Sequence, residues 1–208
     1  MRIVVADDHQ IIRRGLQLIV ARRPDWLIAA EAEEVPQLLD LIRHDGYDVL
    51  VMGLRLRGRS TLEVLEQIRR EHIPLPALIL TSYPEEQYAV AALRAGARGY
   101  LKKDATADEI LDAIARVAAG RTYVSERITE LLAQGLASSS VAPHERLSGR
   151  ELEVFLRLAR GETVGDIAAA LGVSIKTVST YRTRILEKTG FRSNADIVTY
   201  AVRNDLLT

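Results

Sequence analysis

The first 120 residues alternate between short apolar runs and helical patterns, and this alternation restricts the fold more than any other feature of the chain. The apolar, often β-branched runs lie at residues 2–6, 26–30, 49–52, 77–81 and 99–101. Segments with helical periodicity separate them. Because strands that alternate with helices form a parallel sheet covered on both faces, the sequence predicts an α/β domain with a doubly wound, five-stranded parallel sheet.

In a sheet of this kind the functional site lies at the carboxyl ends of the strands. The residues that follow the apolar runs are Asp7, Asp8, Gly53, Thr81, Ser82, Lys102 and Lys103. Two adjacent carboxylates repel each other unless a cation neutralises them, so Asp7 and Asp8 predict a Mg²⁺ site or a lysine partner. An acid pair in this position is also typical of a turn with a helix cap, and the pair alone favours that simpler interpretation.

A second region, residues 163–190, predicts two helices joined by a tight turn. Gly172 and Val173 interrupt the helical pattern, and Ser174 stands where it would cap the second helix. The apolar face of the first helix consists of Ile167, Ala168 and Leu171, and that of the second consists of Val178, Ile185 and Leu186.

The polar surface of the second helix combines long cations with short hydroxyl side chains. Its charged residues are Lys176, Arg182, Arg184 and Lys188 against the acid Glu187, and its hydroxyl residues include Ser179, Thr180, Tyr181 and Thr183. This composition suits a helix in the DNA major groove, because long cations reach phosphates while short side chains let the helix approach base edges. A solvated basic face on an ordinary bundle helix fits the charge count equally well.

Composition narrows the class of protein. A chain of 208 residues with 48% hydrophobic content is long enough for one sizeable core and one small one. The net charge is zero, with nine Lys and Arg against seven Asp and Glu in residues 147–208. The sequence lacks cysteine, any apolar run approaching membrane length and a signal-peptide pattern at its start. It therefore predicts a soluble, cytoplasmic protein.

The predicted organisation has three parts: a domain at residues 1–120, a linker at 121–146 that contains a helix, and a second domain at 147–208. The last helix of the first domain spans about residues 106–119 and ends at Gly120. A further helix is predicted at 125–134. The Ser-rich segment 135–146 is typical of a flexible tether. The four histidines, His144 among them, are assigned no chemistry.

Residues 147–207 resemble the LuxR-type helix-turn-helix module. They carry its opening L-S-x-R-E-x-E-V, its turn I-A-x-x-L-x-V-S and its recognition start K-T-V-S. The resemblance implies DNA binding by an all-α domain, with Ser179, Thr180 and Thr183 facing bases. Lys176, Thr177, Tyr181, Arg182, Arg184 and Lys188 complete the expected DNA-binding set. Many relatives carry Lys at positions 179 and 183, so the target sequence does not follow from the family.

Residues 1–120 resemble the receiver domain of response regulators. The segments that carry the resemblance are VVADDH, DVLVMGLRLRGRSTLEVLEQIR, LILTSYPEE and AGARGYLKKD. With the carboxy-terminal module, the whole chain resembles the NarL/FixJ class. The resemblance implies a Mg²⁺ site at Asp7 and Asp8. It also implies a phosphorylation switch formed by Thr81, Tyr100 and Lys103.

One position departs from that family at its centre. The phosphoacceptor Asp is replaced by Gly53, which offers neither a site for an acyl phosphate nor a metal ligand. Asp48 lies at the opposite end of the strand and does not replace it. The glycine is either a native feature of a receiver that works without phosphorylation or an engineered change in an ordinary one. Any Mg²⁺ site is expected to be weakened.

The loop after Gly53 also departs from the family pattern. The family commonly has Pro where Arg57 stands and Gly where Thr61 stands. Arg55, Arg57 and Arg59 either bring three cations to the pocket or form a solvated loop, and the sequence favours the solvated loop.

The sequence therefore predicts a transcriptional regulator and not an enzyme. Its expected partners are double-stranded DNA, a second copy of the chain, and an upstream protein such as a sensor histidine kinase. Three alternatives remain: a receiver-like domain that senses a small ligand or partner protein instead of phosphate, a Mg²⁺-dependent phosphoryl-transfer enzyme, and a conventional receiver with one engineered residue. The enzyme is the weakest, because no nucleophile stands at position 53.

Overall fold

The structure is a computed structural model, and it describes residues 1–43, 46–57, 59–137, 142–204, 206 and 207. The side chains of residues 59 and 134–137 lie outside that description. The chain forms two compact units, Met1–Thr129 and Glu130–Thr208. The division falls within the segment predicted as a linker, and each unit is described separately below.

The amino-terminal unit is the predicted α/β domain. Its strands are β1 (Arg2–Ala6), β2 (Leu27–Ala32), β3 (Val49–Met52), β4 (Arg55–Leu56), β5 (Arg59–Ser60), β6 (Ala77–Thr81) and β7 (Gly99–Lys102). Its helices are α1 (Gln10–Val20), α2 (Val35–Ile42), α3 (Leu62–Arg70), α4 (Glu85–Ala95) and α5 (Ala107–Ala118). The main sheet is five-stranded and parallel, in the order β2-β1-β3-β6-β7, which confirms the predicted fold class.

Three of the five predicted strands have the predicted bounds, and two differ. β2 begins at Leu27 and continues to Ala32, because residues 31 and 32 pair with the last residues of β1. β7 extends to Lys102, which pairs with Thr81 of β6. Pairing with the neighbouring strand thus carries both strands beyond their predicted ends.

The sheet core explains why β3 is apolar throughout. All four of its side chains are buried, as expected for a central parallel strand covered on both faces. On one face Val49 and Val51 pack with Ile114 and Val117 of α5. Strand order reverses at β1, so the carboxyl ends of β1 and β3 lie at the switch point where α/β sheets bind ligands.

The carboxy-terminal unit is helical. Its helices are α7 (Gly149–Ala159), α8 (Val164–Leu171), α9 (Ile175–Thr189) and α10 (Asn194–Arg203), and α6 (Glu126–Ala137) contains the division between the units. Ser148, Thr163 and Ser193 begin their helices with capping boxes. Among the described residues, no helix is long and apolar enough to span a bilayer.

The predicted flexible tether needs correction. α6 continues to Ala137, beyond the predicted end at residue 134, and Pro143–Arg146 forms a 3-10 helix. In this short helix Pro143 supplies a fixed φ where an N–H is not needed. The part of the predicted tether at residues 138–141 lies outside the described residues.

Candidate functional site

A cavity of about 320 Å³ opens at the carboxyl end of the main sheet. It is lined by Asp8, His9, Gly53, Leu54, Arg55, Thr81, Ser82, Tyr83 and Lys103. These residues come from the loops after β1, β3, β6 and β7, whose ends meet at one edge of the sheet. The fold thus brings together residues that the sequence analysis selected separately, and we refer to this cavity as the receiver pocket.

Asp7 is neutralised by the protein itself. Its carboxylate is almost fully buried, and its Oδ2 atom lies 2.6 Å from the Nζ atom of Lys103. Its Oδ1 atom accepts a hydrogen bond from the backbone N–H of His9 at 2.9 Å. Lys103 is positioned because its own N–H donates to the carbonyl of Thr81 at 2.9 Å. Of the two partners predicted for the acid pair, the structure shows the lysine.

His9 is a residue that the sequence analysis missed. Its Nδ1 atom lies 2.8 Å from Oδ1 of Asp8 and 3.1 Å from Oδ1 of Asp7. The three side chains form a group whose ligand atoms are close enough to hold one metal ion. His9, which the sequence analysis assigned no chemistry, therefore lies in a group that could hold a metal ion. The available signal was its position directly after the acid pair.

Gly53 ends β3 beside Asp7. Its backbone N–H donates to the carbonyl of Ala6 at 2.8 Å, and its own carbonyl accepts from Oγ1 of Thr61 at 2.7 Å. A Cβ atom at position 53 would stand 3.0 Å from Oδ2 of Asp7 and 3.3 Å from the carbonyl of Arg55. The absence of a side chain thus lets Asp7 approach the strand end. Asp48, as expected, lies at the other end of β3.

After Gly53, β4 and β5 pair in an antiparallel register, with Arg55 opposite Ser60 and Leu56 opposite Arg59. Arg57 takes a left-handed backbone with φ 44°, and its N–H donates to Oδ2 of Asp8 at 2.9 Å. Its guanidinium donates to Oε2 of Glu33 at 2.7 Å. The side chain of Arg57 is exposed and does not line the receiver pocket, as the favoured solvated-loop interpretation expects, and it forms a surface ion pair with Glu33. Arg55 lines the receiver pocket, and the side chain of Arg59 lies outside the described part of the chain.

Arg13 joins this loop to the core of the pocket. Its buried guanidinium donates to Oε1 of Glu33 at 2.5 Å, to Oε2 of Glu31 at 2.8 Å and to the carbonyl of Asp7 at 2.7 Å. The hydrogen bond from Arg57 and the charge of Arg13 hold the pKa of Glu33 below its ordinary value. Glu33 therefore stays ionised, and it links two arginines on either side of the acid pair.

The other residues predicted to form the switch, Thr81 and Tyr100, both contact the segment between β6 and α4. Tyr100 is buried, and its hydroxyl donates to the carbonyl of Tyr83 at 2.9 Å. Burial raises the pKa of Tyr100 well above its ordinary value, so the hydroxyl remains a donor. Oγ1 of Thr81, also buried, accepts from the N–H of Tyr83 at 3.3 Å. Thr81 and Tyr100 thus hold the segment between β6 and α4.

In the carboxy-terminal unit, α8 and α9 form the predicted helix pair. Gly172 ends α8 in the left-handed conformation with φ 63°, and Ser174 caps α9 by accepting from the N–H of Thr177 at 3.1 Å. Val178 and Ile185 are buried, as predicted. The opposite, exposed face of α9, which we call the α9 face, carries Lys176, Ser179, Thr180, Thr183 and Arg184.

The α9 face has cations at the edges of a polar groove. A shallow concavity of about 290 Å³ is lined by Ser174, Lys176, Thr177, Thr180, Tyr181 and Arg184. The hydroxyls of Thr180 and Thr183 donate to the helix carbonyls of Lys176 and Ser179, at 2.9 and 3.1 Å. Their protons are thus used within the helix, and their oxygens remain available as acceptors.

Two cations predicted for DNA contact are held by the domain. Nζ of Lys188 lies 2.6 Å from Oε2 of Glu151, a buried carboxylate in the capping box of α7. Nε of Arg182 donates to Oδ1 of Asn194 at 2.7 Å. Lys188 therefore fixes α9 against α7, and we leave it out of the proposed interface; its predicted contact with DNA stays a prediction.

Two family models match this chain, one within each of its two compact units. The model for the response regulator receiver domain matches residues 3–115. The model for bacterial regulatory proteins of the luxR family matches residues 145–201. The first match alone covers more than half of the chain.

Similar proteins match over the full length. The oxygen regulatory protein NreC of Staphylococcus aureus strain JH9 is 35% identical over 215 aligned positions, covering 100% of this chain and 99% of NreC. The response regulator ChrA of a heme-sensing two-component system is 30% identical, with a TM-score of 0.51 and coverage of 100% and 98%. Salmonella typhimurium RcsB, 24% identical with a TM-score of 0.69 and coverage of 100% and 98%, shares the fold.

Proposed function

We propose that this chain, which belongs to the response regulators with a LuxR-type carboxy-terminal domain, regulates transcription by binding duplex DNA through the α9 face. The observation that carries the proposal is the combination of exposed cations at Lys176 and Arg184 with short acceptor side chains between them. On such a surface the cations at the edges contact phosphates, and the short side chains at the centre contact base pairs.

The proposed interface divides by role. Ser179, Thr180 and Thr183 face bases, because they lie at the centre of the α9 face and are short enough for close approach. The residues assigned to phosphates are Lys176, Thr177, Tyr181, Arg182 and Arg184. Arg182 keeps its Nη atoms for a phosphate while Nε is held by Asn194.

The proposed receiver operates without aspartyl phosphorylation. Gly53 has no carboxylate to accept a phosphoryl group, and Lys103 is paired with Asp7. Thr81 and Tyr100 are already fixed to the Tyr83 segment by hydrogen bonds. The receiver is therefore proposed to act as a constant structural partner, or to respond to an upstream protein other than through phosphate.

Mg²⁺ fits this pocket poorly. Mg²⁺ prefers oxygen ligands, and this pocket offers it the carboxylates of Asp7 and Asp8 and the carbonyl of Arg55, but no anionic ligand at position 53. Oδ2 of Asp7 is taken by Lys103, and Oδ2 of Asp8 is taken by the N–H of Arg57. We therefore propose that Mg²⁺ binds weakly, because it must displace contacts that the protein already makes.

The regulator is proposed to bind DNA as a homodimer. One recognition helix contacts few base pairs, and specificity in a genome requires two half-sites about one helical turn apart. A solved structure of RcsB contains two dimers bound to two parallel DNAs. With three phosphate-directed cations on each α9, a dimer neutralises roughly six phosphates, so log affinity falls with log salt at a slope of about −5.

A salt titration tests the proposal. Full-length protein is titrated into a fluorescein-labelled duplex of mixed sequence at several salt concentrations, and affinity is measured by anisotropy. Lys176→Ala is expected to weaken binding and to reduce the slope by about one per subunit. Lys102→Ala, an exposed lysine of the receiver, is the matched control and should change neither. A slope near zero for the wild type would remove the DNA-binding function.

A second candidate rests on the receiver pocket. The cavity of about 320 Å³ at the switch point has Lys103, Arg55 and Ser82 in its lining and no carboxylate at position 53. A small anionic ligand could bind there and gate DNA binding. Melting the full chain with a panel of small carboxylates and phosphates tests this alternative, and an unchanged Tm across the panel counts against it.

A further inference from the structure

Helix α9 begins with an apolar residue that is exposed. Ile175 is the first residue of the helix, and 58% of its surface is accessible. The structure describes every residue of α9, and Ile175 is the one large apolar side chain of this helix that is exposed, whereas Val178 and Ile185 are buried. The side chain of Ile175 therefore adds nothing to the core of the domain and is free to contact a partner.

Ile175 lies at one end of a row of exposed side chains. Residues four positions apart on a helix lie on the same side, one turn above the other. Ile175, Ser179 and Thr183 are spaced in this way, and all three are exposed. Because Ser179 and Thr183 are proposed to face bases, the same row brings Ile175 towards the base edges at the beginning of the helix.

The chain neighbours of Ile175 belong to the same surface. Ser174 and Lys176, on either side of it, both line the shallow concavity of the α9 face. In a helix-turn-helix, the residues at the beginning of the recognition helix are those that contact base edges. The position of Ile175 in the helix thus agrees with its position in the row.

The first turn of α9 also differs in charge from those of the other helices in its domain. The third residue of α7, α8 and α10 is an acid that completes a capping box, namely Glu151, Asp166 and Asp196. In α9 that position holds Thr177, and the first turn contains no acid. An acid there would repel phosphates, so its absence allows this end of the helix to approach DNA closely.

The chemistry of isoleucine restricts what it can recognise. The side chain has neither a donor nor an acceptor, and the one apolar group that bases present in the major groove is the C5 methyl of thymine. We propose that Ile175 contacts the C5 methyl group of one thymine in each half-site and thereby contributes to sequence preference. This inference rests on the proposed binding of DNA through the α9 face, and it adds a base contact to those of the hydroxyl residues.

Replacement of thymine by uracil tests the contact, because uracil lacks only the C5 methyl group. The probe is a fluorescein-labelled duplex that the full-length wild type has selected from a random pool. Each thymine is replaced by uracil at equivalent positions of both half-sites, and affinity is measured by anisotropy. The variants are Ile175→Ala and Ile175→Val, and Leu27→Ala, which changes an exposed apolar residue of the receiver, is the matched control.

For the wild type we expect one thymine position at which uracil lowers affinity roughly tenfold. Each methyl group returned to water accounts for roughly three- to fourfold, and two half-sites contribute. Ile175→Ala should weaken binding to the thymine duplex by a similar factor and should respond to uracil less than about twofold. Ile175→Val should keep part of the response to uracil, and Leu27→Ala should match the wild type.

Two further measurements separate this role from a structural one. Alanine is a better helix former than isoleucine, so Ile175→Ala should not lower the melting temperature of the protein. The slope of log affinity against log salt should stay at the wild-type value in Ile175→Ala, because no charge is removed, whereas Lys176→Ala reduces it.

The outcomes distinguish this inference from the function on which it rests. An equal response to uracil in the wild type and in Ile175→Ala at every thymine would overturn the contact and leave DNA binding intact. A selected half-site without any thymine would overturn it in the same way. Failure of the wild type to bind any duplex at low salt would instead remove the proposed function, and the thymine contact with it.

Discussion

Replacement of Gly53 by Asp is the most informative perturbation of the receiver pocket. The new Cβ would stand 3.0 Å from Oδ2 of Asp7, so that carboxylate has to move by a few tenths of an ångström. The same oxygen is paired with Lys103 at 2.6 Å, and the movement strains that pair. The substitution therefore adds a negative charge beside Asp7 and disturbs Lys103, the residue that neutralises Asp7.

The magnitude follows from the spacing of the charges. Two carboxylates about 4 Å apart repel each other by roughly 4 kcal/mol at an effective dielectric constant of 20. Lys103 offsets part of this repulsion, so we expect Gly53→Asp to lower the free energy of unfolding by roughly 1–3 kcal/mol without metal. For a domain of this size the melting temperature should fall by roughly 2–8 °C. Mg²⁺ should restore most of the loss, because it neutralises the added carboxylate.

The assay compares three variants with the wild type. Gly53→Ala tests the space for a Cβ, Gly53→Asn adds the shape of the side chain without its charge, and Gly53→Asp adds the charge. Each protein is melted in EDTA and in Mg²⁺, and is then treated with acetyl phosphate and analysed by intact-mass and peptide spectrometry. We expect a large Mg²⁺-dependent increase in Tm and a phosphoryl adduct for Gly53→Asp alone.

Two results would refute this reasoning. A Gly53→Asp protein as stable in EDTA as Gly53→Asn would mean that the added carboxylate does not interact with Asp7. A phosphoryl adduct on any receiver residue of the wild type would mean that the pocket has another acceptor.

Three further predictions concern the carboxy-terminal domain. Lys188→Met should lower stability by roughly 1.5–3 kcal/mol, because buried Glu151 loses its charged donor, and urea denaturation measures this loss. Burial raises the pKa of Glu151, but the hydrogen bonds from Lys188 and Ser148 bring it below the ordinary value of 4.5. The ionised carboxylate therefore stabilises the fold above about pH 4.5, and this stabilisation is lost as the pH falls through the folded pKa. Glu151→Gln should flatten the acid limb of a plot of stability against pH. Thr183→Ala should relax base preference at one or two positions of the DNA site, whereas Arg184→Ala should lower the affinity for all sequences alike. Selection of binding sites with each variant measures both effects.

The sequence was sufficient for the sheet because its pattern is local. A run such as residues 49–52 is apolar throughout, as is typical of a central parallel strand covered on both faces. Strand ends were less predictable where pairing extends a strand past its apolar residues, as at Glu31 and Lys102. Those bounds depend on the neighbouring strand, which a local pattern does not contain.

The candidate sites divide in the same way. Ser174 and Gly172 are recognisable as caps because their chemistry acts within one turn of the chain. The contacts of Arg57 with Glu33 and of Lys188 with Glu151 join residues 24 and 37 positions apart. The local sequence around an exposed arginine or lysine does not show whether the fold places a carboxylate beside it. For this reason the sequence analysis did not anticipate either contact.

The departures at positions 53, 57 and 61 are physically connected, and this bears on the origin of Gly53. Thr61, where the family commonly has Gly, donates its hydroxyl to the carbonyl of Gly53. Arg57, where the family commonly has Pro, supplies an N–H to Asp8 at a φ that proline is unable to adopt. One engineered replacement would leave an ordinary loop around an altered strand end. Because Thr61 contacts Gly53 and Arg57 contacts Asp8, we propose instead that Gly53 is a native residue that belongs with this loop.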